Sequence, residues 1–278
     1  GAGIVHALVF WGFLVSRLAT VEHFAGGFGS PLLGRGSVHH GYALAMTGTA
    51  LVVLAGVVVF IIRRFVLRPR FLTYPARAWA LVLGLILVLM LTHLLIQATG
   101  TPILLAKAYW WVHTSCVLGL FVLIPRTDYF HLILAPFNLF FRELRFGHVR
   151  QLNLRDDAAE DFGVNTLADL SWKDLLDLTT CVECGRCQEE CPAYLSEKTL
   201  NPKMLVKDLK GALFQGRSGV AIVNHIYPAV ALWQCTTCGA CQYHCPLGIE
   251  HLAKVVGARR YQTAEAAFPK EAAATFQG

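Results

Sequence analysis

Two arrays of cysteines constrain this chain more than any other feature. Cys181, Cys184, Cys187 and Cys191-Pro192 follow the spacing C-x2-C-x2-C-x3-C-P, and Cys235, Cys238, Cys241 and Cys245-Pro246 repeat it. Three cysteines in step let one short loop wrap three irons of a cubane. The fourth, released by the proline turn, reaches the other cluster of a pair. The spacing therefore assigns one [4Fe–4S] cluster to Cys181, Cys184, Cys187 and Cys245, and a second to Cys235, Cys238, Cys241 and Cys191. Gly185 and Gly239 leave room for the backbone to approach sulfide. Structural zinc uses paired C-x2-C knuckles, with no role for a third cysteine in step or for a repeated Cys-Pro. Disulfides are disfavoured too, because a chain of 278 residues is too large to need staples. The ninth cysteine, Cys116, stands alone in apolar sequence and reads as a small hydrophobe.

Ahead of the arrays lie four apolar stretches, roughly Ile4–Val21, Tyr42–Ile62, Ala78–Ala98 and Ala108–Ile124. Each approaches the ~20 helical residues that span a bilayer. They explain why 55% of the chain is hydrophobic and only 15% charged, against the about 25% charged residues of an ordinary soluble domain. The first stretch contains Ser16 and Arg17, and Arg17 is expected to snorkel outward. Arg63, Arg64, Arg68, Arg70 and Arg77 follow the second stretch, and Arg126, Arg142, Arg145 and Arg150 follow the fourth. The other two loops carry only Arg35 and Lys107. The positive-inside rule then puts both chain ends, and the soluble part, on the cytoplasmic side of a bacterial or archaeal membrane. Tyr109, Trp110 and Trp111 fit an aromatic belt at the outer interface. The net charge of +6 is thus a matter of topology and lipid contact, and implies no nucleic-acid partner. Gly1-Ala-Gly leads into apolar sequence without a basic n-region or cleavage site, so no signal peptide is expected. The start without Met points to residues upstream.

Past Leu144 the pattern is soluble and helical. Ser171 and Asp174 read as a capping box, and Asn201-Pro202 as an N-cap with an N1 proline. Asp156, Asp157, Glu160 and Asp161 mark an exposed linker, and no alternating strand is evident. The expected architecture is all-α, with a transmembrane helical bundle over 1–143, a linker over 144–170 and a two-[4Fe–4S] helical domain over 171–278. The long, helical gap from Pro192 to Gln234 favours the all-helical dicluster fold of respiratory iron–sulfur subunits over a compact β-rich ferredoxin.

Ionisable residues inside a membrane are functional candidates. His113 and His131 are 18 residues apart, five turns of one continuous helix, which suits two haems about 27 Å apart, with a kink at Pro125. His6 lies level with His131, and the two are expected to ligate one haem b axially. His113 is the candidate for a second haem, but the position facing it holds Ser16, which cannot ligate. His23, His39, His40 and His93 lie toward the outer side, and His93 with Gln97, at i and i+4, reads as a quinone pocket. His244 and His251 read as surface groups or as supports of the clusters.

The stretch from His6-Ala-Leu-Val-Phe-Trp-Gly-Phe to Ile124-Pro-Arg and His131-Leu-Ile-Leu-Ala-Pro-Phe-Asn resembles the gamma-subunit cytochrome b fold of respiratory nitrate reductase. On that resemblance His6, His113 and His131 fall on three of four haem-ligand positions and Ser16 on the fourth. Cys181-Val-Glu-Cys-Gly-Arg-Cys-Gln-Glu-Glu-Cys-Pro-Ala-Tyr and Cys235-Thr-Thr-Cys-Gly-Ala-Cys resemble membrane iron–sulfur oxidoreductases related to the D-type subunit of heterodisulfide reductase, a group that includes electron-transfer-flavoprotein:menaquinone oxidoreductases. The resemblance implies another transmembrane helix upstream and cysteine-rich CCG domains downstream, either in a longer chain or in another subunit.

The expected function is electron transfer between a cytoplasmic donor, such as an electron-transfer flavoprotein, and quinone or menaquinone, through two clusters and one or two haems b. The alternatives are an electron-transfer subunit of a quinol-linked disulfide or heterodisulfide reductase, and a non-catalytic redox anchor among further subunits.

Overall fold

A computed structural model describes residues 2–30, 32–33, 37–68, 76–97, 102–145, 147–149, 151 and 162–265. The apolar stretches form α1 (Ala2–Gly27), α2 (Ser37–Ile61), α3 (Ala76–Gln97) and α4 (Ile103–Leu123). Four helical segments, Gly3–Gly27, Ser37–Leu67, Trp79–Gln97 and Leu104–Arg126, are long and apolar enough to cross a membrane. Helix α1 runs past Val21, and α4 starts ahead of Ala108. A backbone in hydrocarbon has no partner outside its own helix, so helical hydrogen bonding persists through polar residues near the interface. Helix α2 winds into a π-helical turn, Ile62–Leu67, ending at Arg68 with φ 42°. Arg35, Arg70, Arg150, Asp156, Asp157, Glu160 and Asp161, and the side chain of Arg77, lie outside the described residues.

The chain divides into two compact units, Gly1–Thr127 and Asp128–Gly278. In the first, α1 packs on α2, α2 on α3 and α3 on α4. Its core is Met46, Ala50, Val53 and Val57 of α2 with Leu83, Leu89, Met90, Val117 and Leu120. Gly12 lies against Val53, and Gly56 against Val9, so closely that a Cβ at either would collide. Small residues bring membrane helices together because packing, rather than expulsion of water, drives their association. Cys116 is buried, as a small hydrophobe should be.

One expectation about side chains in this unit is corrected. Arg17 does not snorkel outward: its guanidinium lies 3.9 Å over the Phe13 ring and its side chain lines a cavity partly open to solvent. Trp110 stacks on His23 at 5.1 Å, whereas Trp111 is exposed. Its indole N–H donates to His23 O at 3.3 Å, which holds the half-buried ring against α1.

Helix α4 is not continuous as far as His131. It passes into a 3-10 turn, Ile124–Arg126, and Thr127 is extended (φ −130°, ψ 171°). Pro125 supplies no amide to the helix, so the ladder ends there. His131 instead opens α5 (His131–Phe140) in the second unit, behind a 3-10 turn, Asp128–Phe130. The same-face relation expected of His113 and His131 therefore fails.

The second unit continues with α6 (Trp172–Thr180), α7 (Arg186–Glu189), α8 (Pro192–Leu195), α9 (Pro202–Phe214), α10 (Ala229–Trp233), α11 (Ala240–Tyr243) and α12 (His251–Ala264). Among the described residues, β-structure is limited to two isolated bridges, Thr166–Ala221 and Val223–Tyr227. Both expected caps form: Ser171 and Asp174 make a reciprocal capping box, and Asn201 Oδ1 accepts from Lys203 N and Met204 N at 3.0 and 3.2 Å. The core gathers Leu167, Leu178, Leu205, Leu209, Leu232 and Ile249. Part of the stretch read as linker packs here, since Leu167 is buried and Val164 N donates to Gly257 O at 2.9 Å. Helix α5 joins this unit by packing on α6. Its one buried polar side chain, Asn138, donates to Asp177 Oδ1 at 3.0 Å and to Leu247 O at 2.8 Å.

Candidate metal centre

The two arrays fold as copies of one loop. Cys181 caps the end of α6, and its sulfur accepts from Glu183 N at 3.4 Å. Cys235 stands likewise after α10, accepting from Thr237 N at 3.4 Å. Glu183 (φ 48°) and Thr237 (φ 55°) are left-handed, as are Gly185 (φ 84°) and Gly239 (φ 75°) two residues later. Two left-handed residues in three turn the chain around the space that three sulfurs face. At Glu183 and Thr237 this costs on the order of 1 kcal/mol each, since neither is glycine. Sequence reasoning noted the two glycines and missed these partners, whose only signal was the same place in both repeats. Gly185 and Gly239 then cap α7 and α11, which carry Cys187 and Cys241. Cys191 caps α8 with Pro192 at its first position.

The sulfurs group across the repeats. Burial, above all, pushes the Cys187 thiol up, with Cys181, Cys245 and Cys184 next in effect and Cys241 last. Burial likewise pushes Cys241 to about 12, with Cys235 and Cys191 next in effect and Cys238 also contributing. Cys245 thus stands with the first array and Cys191 with the second. Cys191, Cys235, Cys238 and Cys241 line one cavity with Leu200, Leu205 and Val255, about 410 Å³ of atom-free space that is partly open to solvent. Among the described residues no three His, Cys, Asp or Glu side chains converge on a point where one metal ion could sit. Thiols held this high bind metal only by giving up their protons, so loading these sites releases acid.

Cations lie beside both arrays. Lys210 Nζ donates to Cys181 O at 2.8 Å, and Arg259 Nη2 donates to Cys235 O at 2.6 Å. Lys203, 1% exposed on α9, is held below the ordinary lysine range by burial, against the pull of Glu183. His251 is no surface group. It is 2% exposed, lines the cavity of the second array, and shares a 3.0 Å hydrogen bond from Nδ1 to Ile249 O. Burial and then Lys254 push it down to about 4, so it stays neutral. His244 is a surface group, 3.9 Å from Glu190.

Of the histidines in or near the membrane segments, His6 lies on α1 with its ring 6.3 Å from that of Phe60. His131 Nδ1 is 2.6 Å from Asp128 O. A carbonyl only accepts, so Nδ1 carries the proton and the ring lone pair is on Nε2, the tautomer that ligates metal. His113 shares a 2.9 Å hydrogen bond with Thr92 Oγ1, and its ring is 4.5 Å from that of His23, too close for a porphyrin between them. His113, His93, Ser16 and Arg17 line one cavity, about 380 Å³ of atom-free space that is partly open to solvent. Within it His93 Nε2 is buried without a hydrogen-bond partner. Gln97 is exposed at the end of α3 and does not line that cavity.

Residues 177–249, which include all eight array cysteines, match the family model of the 4Fe-4S dicluster domain. That part of the chain is a 4Fe-4S dicluster domain. Over 93% of its length the chain is 29% identical to the "EtfAB:quinone oxidoreductase" of Syntrophomonas wolfei, covering 46% of that protein. Over 94% it is 26% identical to the "Probable iron-sulfur-binding oxidoreductase FadF" of Bacillus subtilis, covering 47%. A third relative, the "Probable membrane-anchored ferredoxin" of Chromohalobacter salexigens, is 36% identical over 45% of this chain and 23% of its own. The chain thus spans about half the length of the first two relatives. No solved structure matches. Two of these relatives are thus named as oxidoreductases and the third as a ferredoxin.

Proposed function

We propose that the chain carries electrons between a soluble cytoplasmic donor, such as an electron-transfer flavoprotein, and quinone in the membrane, through two [4Fe–4S] clusters and a haem b. The observation that carries this reading is a 4Fe-4S dicluster match over eight paired-array cysteines, in a chain with four apolar helices long enough to cross a membrane among its described residues. Bound there, clusters and haem supply one-electron chemistry, which can connect a two-electron flavin to a two-electron quinone. Cys181, Cys184, Cys187 and Cys245 hold one cluster, and Cys191, Cys235, Cys238 and Cys241 the other. His131 is a haem ligand, a reading supported by its tautomer, and its pairing with His6 rests on the sequence alone. His93, with its unpartnered Nε2 beside Arg17 and Ser16, is the group for a quinone carbonyl. Gln97 does not line that pocket, and His113, 2.9 Å from Thr92 Oγ1, stays the candidate for a second haem with a partner other than His23. The match to the quinone oxidoreductase along most of the chain supports the same reading.

The test is His131→Ala in the purified, lipid-reconstituted protein. We expect pyridine haemochrome to detect haem b in wild type and none in the variant. Both clusters should remain assembled and reducible by a soluble donor, while quinone reduction stops. Wild-type protein without haem b sinks the haem reading. A variant that reduces quinone at the wild-type rate shows instead that quinone collects electrons directly from a cluster.

A further inference from the structure

One ammonium group joins the first cysteine array to the turn that orients His131. Lys210, on α9, is largely buried. Its Nζ lies 2.8 Å from Cys181 O and 2.6 Å from Asp128 Oδ1. The main-chain carbonyl of that same Asp128 accepts from His131 Nδ1 at 2.6 Å. All four residues lie in the second unit, so three hydrogen bonds run from a cluster-holding cysteine to an imidazole without a break. The second array has a cation in the matching place, but it leads elsewhere: Arg259 ties Cys235 O to Leu232 O, from α12 to the end of α10. The second loop is also the more open, with Thr236, Thr237 and Cys238 all exposed.

We infer that Lys210 is a positioning residue that makes the first cluster the outlet toward His131, while the second, exposed cluster faces the soluble donor. This rests on the reading of His131 as a haem ligand. Lys210 acts in two ways. A buried positive charge one carbonyl away from a cluster-binding sulfur favours the more negative, reduced cluster. Its grip on Asp128 holds the carbonyl that fixes the His131 ring, as outer partners do for metal-bound histidine.

The experiment compares Lys210→Met and Lys210→Arg in the full chain with cofactors loaded, reading each cluster's midpoint potential by EPR and the low-spin haem signal. Lys210→Met is expected to move one cluster midpoint to a more negative potential, leave the other in place and shift the haem signal, and Lys210→Arg to restore all three. The moved cluster should be the one that survives Cys238→Ser. Unchanged midpoints in Lys210→Met, or both moved equally, overturn the inference. Should Lys210→Met fail to assemble clusters, Asp128→Asn decides: it keeps the ammonium beside Cys181, and an unaltered haem signal overturns the inference. Absence of haem b from wild type overturns the reading of His131, a failure told apart from that of Lys210 because the cluster midpoints are read independently.

Discussion

Cys191→Ala is expected to lose the cluster built on Cys235, Cys238 and Cys241 and to keep the one built on Cys181, Cys184 and Cys187. The wild type should carry ~8 iron and ~8 sulfide, and the variant about half of each. The reason is the turn at Cys191-Pro192. Cys191 caps α8, only 7% exposed, and lines the same cavity as the three cysteines of the later array. Burial raises Cys235, which lies near Cys191 and Cys238, as Cys241 lies near Cys191. Cys245→Ala should do the reverse, since Cys245 stands with Cys181, Cys184 and Cys187. EPR of the reduced variants separates the two cases, and loss of the first cluster alone in Cys191→Ala contradicts the crossed arrangement.

Asp177→Ala should destabilise the second unit by about 3–5 kcal/mol, the usual consequence of removing one partner from a buried ion pair. Asp177 is fully buried and takes four partners: Lys254 Nζ at 2.8 Å, Lys173 Nζ at 2.6 Å, Asn138 Nδ2 at 3.0 Å and Glu250 N at 3.0 Å. Lys254, 1% exposed in its side chain, keeps the Asp174 carboxylate at 2.9 Å and the Glu250 carbonyl at 3.3 Å when Asp177 goes. Thermal unfolding of the loaded protein reads the loss, and a drop below about 1 kcal/mol refutes it. Burial alone would raise the Asp177 carboxyl, but Lys254 and Lys173 hold it below the ordinary aspartate range. Its folded pKa is depressed, so its contribution is complete above the unfolded aspartate pKa, about 3.9. That contribution is lost as pH falls through the lower folded value. A stability profile across acid pH should therefore fall in wild type and lie flatter in Asp177→Ala.

Asn138 makes the same network a fastener for α5. With Asp177 on one side and Leu247 O, two residues past Cys245, on the other, it fixes the helix that starts at His131 against the first cluster's loop. None of this was visible in the chain as written. Asn138 sits in an apolar run, and nothing beside it in the chain points to a partner.

What the sequence determined by itself is whatever neighbours along the chain decide. Spanning helices follow from runs of apolar residues, because an unpaired backbone has no other state in lipid. The capping box at Ser171 and the N-cap at Asn201 are settled within four residues. Cysteine spacing matched to a cubane is equally local, and it is written twice in this chain. Tertiary structure decided the rest, for one physical reason. Lys210 meets Asp128 across 82 positions, Asn138 meets Leu247 across 109, and Lys254 meets Asp177 across 77. A buried charge or amide is costly alone and stable only with its partner. Which lysine meets which aspartate depends on how helices pack, so the inward turn of Arg17, the burial of His251 and the link from Cys181 to His131 emerged only in the fold.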